Sequence, residues 1–121
     1  VYYIQYAHAR VCSVLAQWNG DESDLGKADL ARLDNAYELA LAAKLGEFPE
    51  QVEAAAADLA PHMIAFYLKD LSAAFHSYYN AERMLVDDVA LKDARVALAV
   101  AVRQVIRNGL AILGVSCPQS M

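Results

Sequence analysis

The chain has 121 residues, of which 58% are hydrophobic and 21% charged, and its formal net charge is −5. This length is typical of one domain, and the abundance of alanine with only five Gly and three Pro excludes a disordered chain and disfavours an all-β fold. The acidic balance argues against a nucleic-acid partner, and the longest stretches without a charged residue, 71–81 and 108–121, are too short for a transmembrane helix.

The first predicted helix runs from about Tyr2 to Asn19, and Gly20 is expected to end it. Helical periodicity divides it into two faces. The predicted core face comprises Ile4, His8, Val11, Leu15 and Trp18. The opposite face, called here the outer face, comprises Tyr3, Tyr6, Arg10, Ser13 and Gln17. Tyrosine and arginine stack on nucleobases, and arginine pairs with phosphate. Alternatively, these rings pack against a neighbouring helix or a further domain.

The middle of the chain carries the acidic excess. Residues 21–60 have a net charge of −7, whereas the segments 1–20 and 61–121 each have +1, so the two ends are not too acidic for a nucleic-acid surface. An acidic loop is predicted over Asp21 to Asp29. Three helices are then expected, over Leu33 to Leu45, Pro49 to Leu59 and Pro61 to Met84.

The end of the predicted fourth helix holds an aromatic and amide cluster, Phe75 to Asn80. Rings beside amides are suited to reading an unstacked base of single-stranded RNA. The same cluster is also consistent with closure of a hydrophobic core, with Phe75 and Tyr78, three residues apart, both facing inward.

A fifth helix is predicted from about Val89 to Leu113, followed by Gly114 and then by Pro118, which cannot continue a helix. Beside its apolar face lies a basic stripe that offers contacts to phosphates, or alternatively a solvated surface; it comprises Lys92, Arg95, Arg103 and Arg107. Five helices with short connections predict an all-α fold, a single-domain helical bundle spanning residues 1–121.

The sequence offers no catalytic constellation. The three histidines have no partners at the spacing of metal ligands, and no Gly-rich phosphate loop is present, so neither a metal nor a cofactor is expected in this chain. The two cysteines, Cys12 and Cys117, indicate a reducing, cytoplasmic setting. The start lacks an initiator Met and a helix cap, which favours a piece of a longer protein.

Several segments resemble the anticodon-binding domain of arginyl-tRNA synthetases, and together they cover nearly the whole chain. The first is YIQYAHAR, residues 3–10, followed by 13–14. Further similarities lie at 61–62, 67–68 and 70–71, and in residues 74–80, which include the aromatic cluster. Residues 94–98 are a variant of the Asp-Ala-Leu-Arg element that names this domain type. The final similarities are at 103–105, 108–110 and 113–115, and in the terminal Met121.

This resemblance implies a class I synthetase that attaches arginine to its tRNA with ATP and Mg, and whose catalytic domain lies outside these residues. It implies tRNA as the partner, with anticodon contacts at Tyr3, Tyr6, Phe75 and Met121. Some members have Tyr where this chain has Phe75. On physical grounds, stacking or backbone contacts are added at Arg10, Tyr79 and Arg107. The alternative function is a helical protein–protein interaction module with an exposed tyrosine face.

Overall fold

A computed structural model describes residues 1–120, and within that part the chain forms five α-helices and no strand. The all-α prediction is therefore confirmed. Two short 3-10 turns, Glu22–Lys27 and Leu30–Arg32, connect the first two helices. The helices are α1 (Tyr2–Trp18), α2 (Ala36–Gly46), α3 (Phe48–Ala57), α4 (His62–Ala81) and α5 (Val89–Ile112). None of these helices combines the length and apolar character required to cross a membrane.

The carboxyl end of α1 differs from the prediction in its capping residue. Asn19, not Gly20, takes the left-handed conformation (φ 54°), and its N–H donates to the Leu15 carbonyl at 3.0 Å. Asparagine tolerates this conformation better than most residues. Gly20 is in close contact with α1 instead: a Cβ there would lie 2.5 Å from the Trp18 indole, which would have to shift. The indole therefore packs directly on the glycine backbone.

The start of α2 lies three residues after the predicted start at Leu33. The Asn35 side chain accepts from the Glu38 N–H at 2.9 Å, and Glu38 Oε1 accepts from the Asn35 N–H at 3.2 Å, so the two residues form a capping box. The acidic segment before it is not an open loop. Asp21 and Asp29 each cap a 3-10 turn by accepting a backbone N–H two residues later.

Helix α4 lies at the centre of the bundle and contacts each of the other four helices. It ends at Ala81 rather than at the predicted Met84, whereas α5 ends one residue before the predicted Leu113 and Gly114 follows with φ +72°. One continuous apolar core joins the helices. Its fully buried members include Val11, Leu41, Leu68, Leu71, Phe75, Tyr78, Val102, Ile106 and Leu110.

A buried polar network fastens α2, α4 and α5 together. Arg95 Nε donates to Glu38 Oε2 at 2.9 Å, and the Tyr78 hydroxyl donates to the same oxygen at 2.6 Å. Arg95 Nη1 also donates to the Arg83 carbonyl at 2.6 Å, and its Nη2 lies 3.7 Å from Glu82. Each buried charge therefore has hydrogen-bonding partners, as burial requires.

Candidate nucleic-acid interface

The outer face of α1 remains on the molecular surface, as the sequence predicted. Tyr3 and Tyr6 are 41% and 40% exposed, Ser13 and Gln17 are exposed, and Arg10 is half-buried. The opposite face contributes Ile4, His8 and Val11 to the interior, with Leu15 and Trp18 half-buried. The amphipathic assignment of this helix is confirmed, so aromatic surface and a cation are available side by side to a partner.

The Arg10 guanidinium lies between two tyrosine rings. Its Cζ is 4.1 Å from the ring centre of Tyr79 on α4 and 5.1 Å from that of Tyr6 on α1. Both distances are within the range of a cation–π contact. Packing of α1 against α4 therefore brings together three residues that the sequence had placed in two separate motifs.

His76 on α4 contacts three members of this surface, Tyr3, Tyr6 and Arg10. Its ring is stacked 5.4 Å from the Tyr6 ring and lies 5.0 Å from the Tyr3 ring, and only 8% of the residue is exposed. Its Nδ1 lies 2.9 Å from Arg10 Nη1. Burial, together with the neighbouring Arg10 charge, lowers the pKa of His76 below its ordinary value. The ring is therefore neutral at pH 7.

A surface cavity of about 310 Å³ opens beside this group. It is bordered by both the outer face of α1 and the carboxyl-terminal tail, and its lining consists of Tyr6, Ala9, Arg10, Ser13, Gln17, Tyr79 and Ser120. A second cavity of about 340 Å³ shares Gln17 and Tyr79 with it and extends towards Arg83. Aromatic rings, a cation, a hydroxyl and an amide at one cavity wall match the groups that bind unstacked bases.

The tail that follows α5 is held against α1 by hydrogen bonds to its main chain. Gln5 Nε2 donates to the Ser116 carbonyl at 3.0 Å, and His8 Nδ1 lies 3.0 Å from the Pro118 carbonyl. On the other side of the same ring, Arg107 Nε donates to His8 Nε2 at 2.9 Å. Because an arginine only donates, His8 carries its proton on Nδ1 and is neutral. Burial, aided by the charges of Arg107 and Arg103, lowers the pKa of His8, and the hydrogen bond to the Pro118 carbonyl opposes part of this shift.

The prediction that Phe75 stacks on a base is wrong for the structure described here. Phe75 has no exposed surface and belongs to the core, where it packs 6.2 Å from the Tyr79 ring. Tyr78 is buried as well, so the alternative interpretation, core closure, is confirmed for both residues. The two residues share one side of α4, and the hydrophobic effect places that side in the interior.

The basic stripe predicted on α5 is largely wrong. Arg95 is buried and paired with Glu38, and Arg103 forms an ion pair with Glu22 in the acidic segment. Arg107 faces His8, as described above. Charge spacing along one helix does not reveal these partners, because they come from residues 57 to 99 positions away.

Three residues that shape this surface were not among the predicted contacts. Gln5 holds the tail, His8 was predicted only as part of the core face of α1, and His76 only as part of the aromatic cluster. Their positions in the motifs at residues 3–10 and 74–80 were visible, but their partners were not. Among residues 1–120, no three metal-ligating side chains lie together. Met121 lies outside the described residues, so its predicted contact stays a prediction.

Residues 4–121 match the family model described as the DALR anticodon binding domain. The chain is 70% identical over its whole length to proteins named arginine-tRNA ligase from Dechloromonas aromatica and from Azoarcus, and it spans 21% of each.

Two solved structures share the fold. An arginyl-tRNA synthetase from Thermus thermophilus superimposes with a TM-score of 0.87 at 36% identity, covering 98% of this chain and 21% of that one. A putative arginyl-tRNA synthetase from Campylobacter jejuni gives a TM-score of 0.91 at 29% identity, covering 99% of this chain and 26% of that one. By the extent of these matches, the chain belongs to the DALR anticodon binding domain family.

Proposed function

We propose that this chain is the anticodon-binding domain of an arginine-tRNA ligase, and that residues 1–121 form one domain of that longer, cytoplasmic enzyme. The chain spans about a fifth of the length of the curated relatives that it matches. The ligase activity and the arginine tRNA follow the names of those relatives, and we propose that the catalytic domain lies elsewhere in the longer protein. ATP and Mg²⁺ act in the catalytic part, outside this chain.

The arrangement of Arg10 between Tyr6 and Tyr79, beside a surface cavity, is the observation that supports this proposal. Stacking on exposed rings captures a splayed anticodon base, because every base has an aromatic face. The free N–H groups of Arg10 supply donors to base or phosphate acceptors. Tyr3, Tyr6, Arg10 and Tyr79 are the proposed contact residues.

Arg107 and Met121 complete the proposed site in a different way. Arg107 supports His8, which holds the Pro118 carbonyl three residues before the end of the chain. We propose that Met121, which follows this tail in the sequence, contacts the bound loop, and that any phosphate contact by Arg107 uses its Nη groups. Buried Phe75 contributes indirectly by supporting the Tyr79 ring from the core.

Binding of arginine tRNA by the 121-residue protein tests the proposal. The comparison is with the same tRNA altered only at the middle anticodon base, over a range of salt concentrations. We expect the binding to be weak, because few phosphates are contacted, and to decline with added salt, because those contacts are electrostatic. The unaltered tRNA should bind better than the altered one. Equal affinity for the two tRNAs would contradict base recognition. Absence of RNA binding combined with capture of a protein partner would instead favour the alternative, a protein-interaction module.

A further inference from the structure

His76 is placed to control the position of Arg10. The guanidinium of Arg10 can only donate hydrogen bonds, so the 2.9 Å contact with His76 Nδ1 requires that this nitrogen carry a lone pair. The ring proton then lies on Nε2, which is buried and has no hydrogen-bond partner among the described residues. The contact with Arg10 therefore indicates one neutral tautomer of the ring.

The histidine ring is itself fixed in place. It is more than nine-tenths buried, and the Tyr3 and Tyr6 rings pack on it from α1. A side chain held in this way offers its lone pair in one direction only. Arg10 has long, flexible torsions, and ordering them costs conformational entropy that a fixed acceptor reduces at the moment of binding.

We propose that His76 is a positioning residue of the RNA-binding surface: its Nδ1 holds the Arg10 guanidinium between the Tyr6 and Tyr79 rings at the wall of the cavity. The proposal rests on the function proposed above and adds a residue that does not touch the RNA. Arg10 makes the contact, and His76 sets the orientation from which it does so.

The neutral form of His76 is essential to this role. Protonation at Nδ1 would replace the acceptor with a donor and place two cations against each other. Arg10 is the charged group that faces the ring, and Tyr3 and Tyr6 from α1 and Tyr79 from α4 are the titratable groups around it; α2, α3 and α5 contribute no charge to its pKa. RNA affinity is therefore expected to decline as the pH falls below 6.5, the ordinary pKa of histidine.

Two variants that are nearly isosteric with each other separate the effect of the hydrogen-bond acceptor from the effect of packing. In His76→Asn the side-chain oxygen replaces Nδ1 at nearly the same distance from Cα, whereas in His76→Leu a methyl group does so. Both variants lose the ring. Leucine tolerates burial better than asparagine, so a loss of RNA affinity in His76→Leu alone cannot be explained by unfolding. Circular dichroism and thermal melting check the fold of each variant.

The measurement is the affinity of the 121-residue protein for a hairpin carrying the anticodon loop of arginine tRNA. We expect His76→Leu to weaken binding by up to roughly tenfold, because the freed Arg10 side chain must then be ordered at the moment of binding. His76→Asn should bind within a few-fold of wild type and show a flatter pH profile below pH 6.5. Exposed His62→Asn is the matched histidine control and should bind and titrate as wild type does.

Equal binding by His76→Leu and wild type would overturn the proposal. So would an unchanged pH profile in His76→Asn, because His8 would then account for the titration.

A second measurement, by nuclear magnetic resonance, needs no RNA. The guanidinium group of Arg10 should rotate slowly in wild type and in His76→Asn, and freely in His76→Leu. Free rotation in wild type would also overturn the proposal. A failure of the proposed function appears separately, as a wild-type protein that does not distinguish the middle anticodon base.

Discussion

Arg95 on α5 and Glu38 on α2 form a buried ion pair, with Arg95 Nε 2.9 Å from Glu38 Oε2. The Tyr78 hydroxyl donates to the same oxygen, and burial, followed by Glu38, raises the pKa of Tyr78 well above its ordinary value. The phenol therefore stays protonated as a donor at all physiological pH values. Three helices depend on this one carboxylate.

Removal of that carboxylate tests how much the network contributes. Glu38→Met keeps the length of the side chain but removes the acceptor of Arg95 Nε and of the Tyr78 hydroxyl, together with the Oε1 that accepts from the Asn35 N–H. We expect the free energy of unfolding in urea to fall by about 3–5 kcal/mol, as found when one partner of a buried pair is removed. Arg32→Met, in the exposed pair with Asp88, is the control and should change little. A loss below about 1 kcal/mol at Glu38 would show that its burial is not maintained in solution.

The same pair shows what a sequence can and cannot predict. Helical periodicity predicted the five helices and both faces of α1, because burial of an apolar stripe is a local pattern. It assigned Arg95 to a solvent-facing stripe, because its partner Glu38 lies 57 residues away. The outer face of α1 was predicted for the same local reason, whereas the placement of His76 beneath Arg10 depends on how α1 packs on α4.

Gly109 on α5 packs directly against Leu68 on α4. A Cβ at this position would lie 2.6 Å from Cδ1 of buried Leu68. We expect Gly109→Ala to lower the free energy of unfolding by about 1–3 kcal/mol, because a core without free space must shift to accept a methyl group. Urea denaturation monitored by circular dichroism measures this change.

Gly46 provides the matched control within the same fold. It ends α2, and nothing lies within 4 Å of the position that a Cβ would occupy. Gly46→Ala is therefore expected to stabilise the protein by about 0.5–1 kcal/mol, through lower entropy of the unfolded chain. If the two substitutions change stability equally, the contact between Gly109 and Leu68 is not close in solution.

Tyr6 is the most direct test of base stacking. Tyr6→Ala should weaken binding of arginine tRNA by about 1–3 kcal/mol, the usual contribution of an aromatic ring stacked on a base. Tyr37 on α2 is 44% exposed, close to the 40% of Tyr6, so Tyr37→Ala controls for the loss of an exposed ring. Binding is measured by fluorescence anisotropy, and thermal melting is recorded for both variants. A lower melting temperature with unchanged affinity would make Tyr6 a structural residue.

The contact between His8 and Arg107 predicts a specific dependence of stability on pH. Burial, aided by the Arg107 charge and opposed by the Pro118 carbonyl, holds the pKa of His8 below 6.5 in the folded protein. The unfolded chain binds a proton near pH 6.5 while the folded protein resists it, so the free energy of unfolding declines as the pH falls through 6.5. The contribution of His8 becomes constant below its folded pKa, and His76, whose pKa is also lowered, adds a decline of the same sign.

Arg107→Met should raise the pKa of His8, because it removes both a nearby positive charge and a donor that favours the neutral ring. Titration of the His8 ring by nuclear magnetic resonance measures the shift directly. The decline in stability between about pH 7.5 and about pH 5 should become smaller in the same variant. Lys69→Met, at an exposed position on α4, is the control for loss of a cation and should leave His8 unchanged. An unchanged His8 pKa in Arg107→Met would show that Arg107 does not act on this ring, and the tail would then depend on Gln5 and His8 alone.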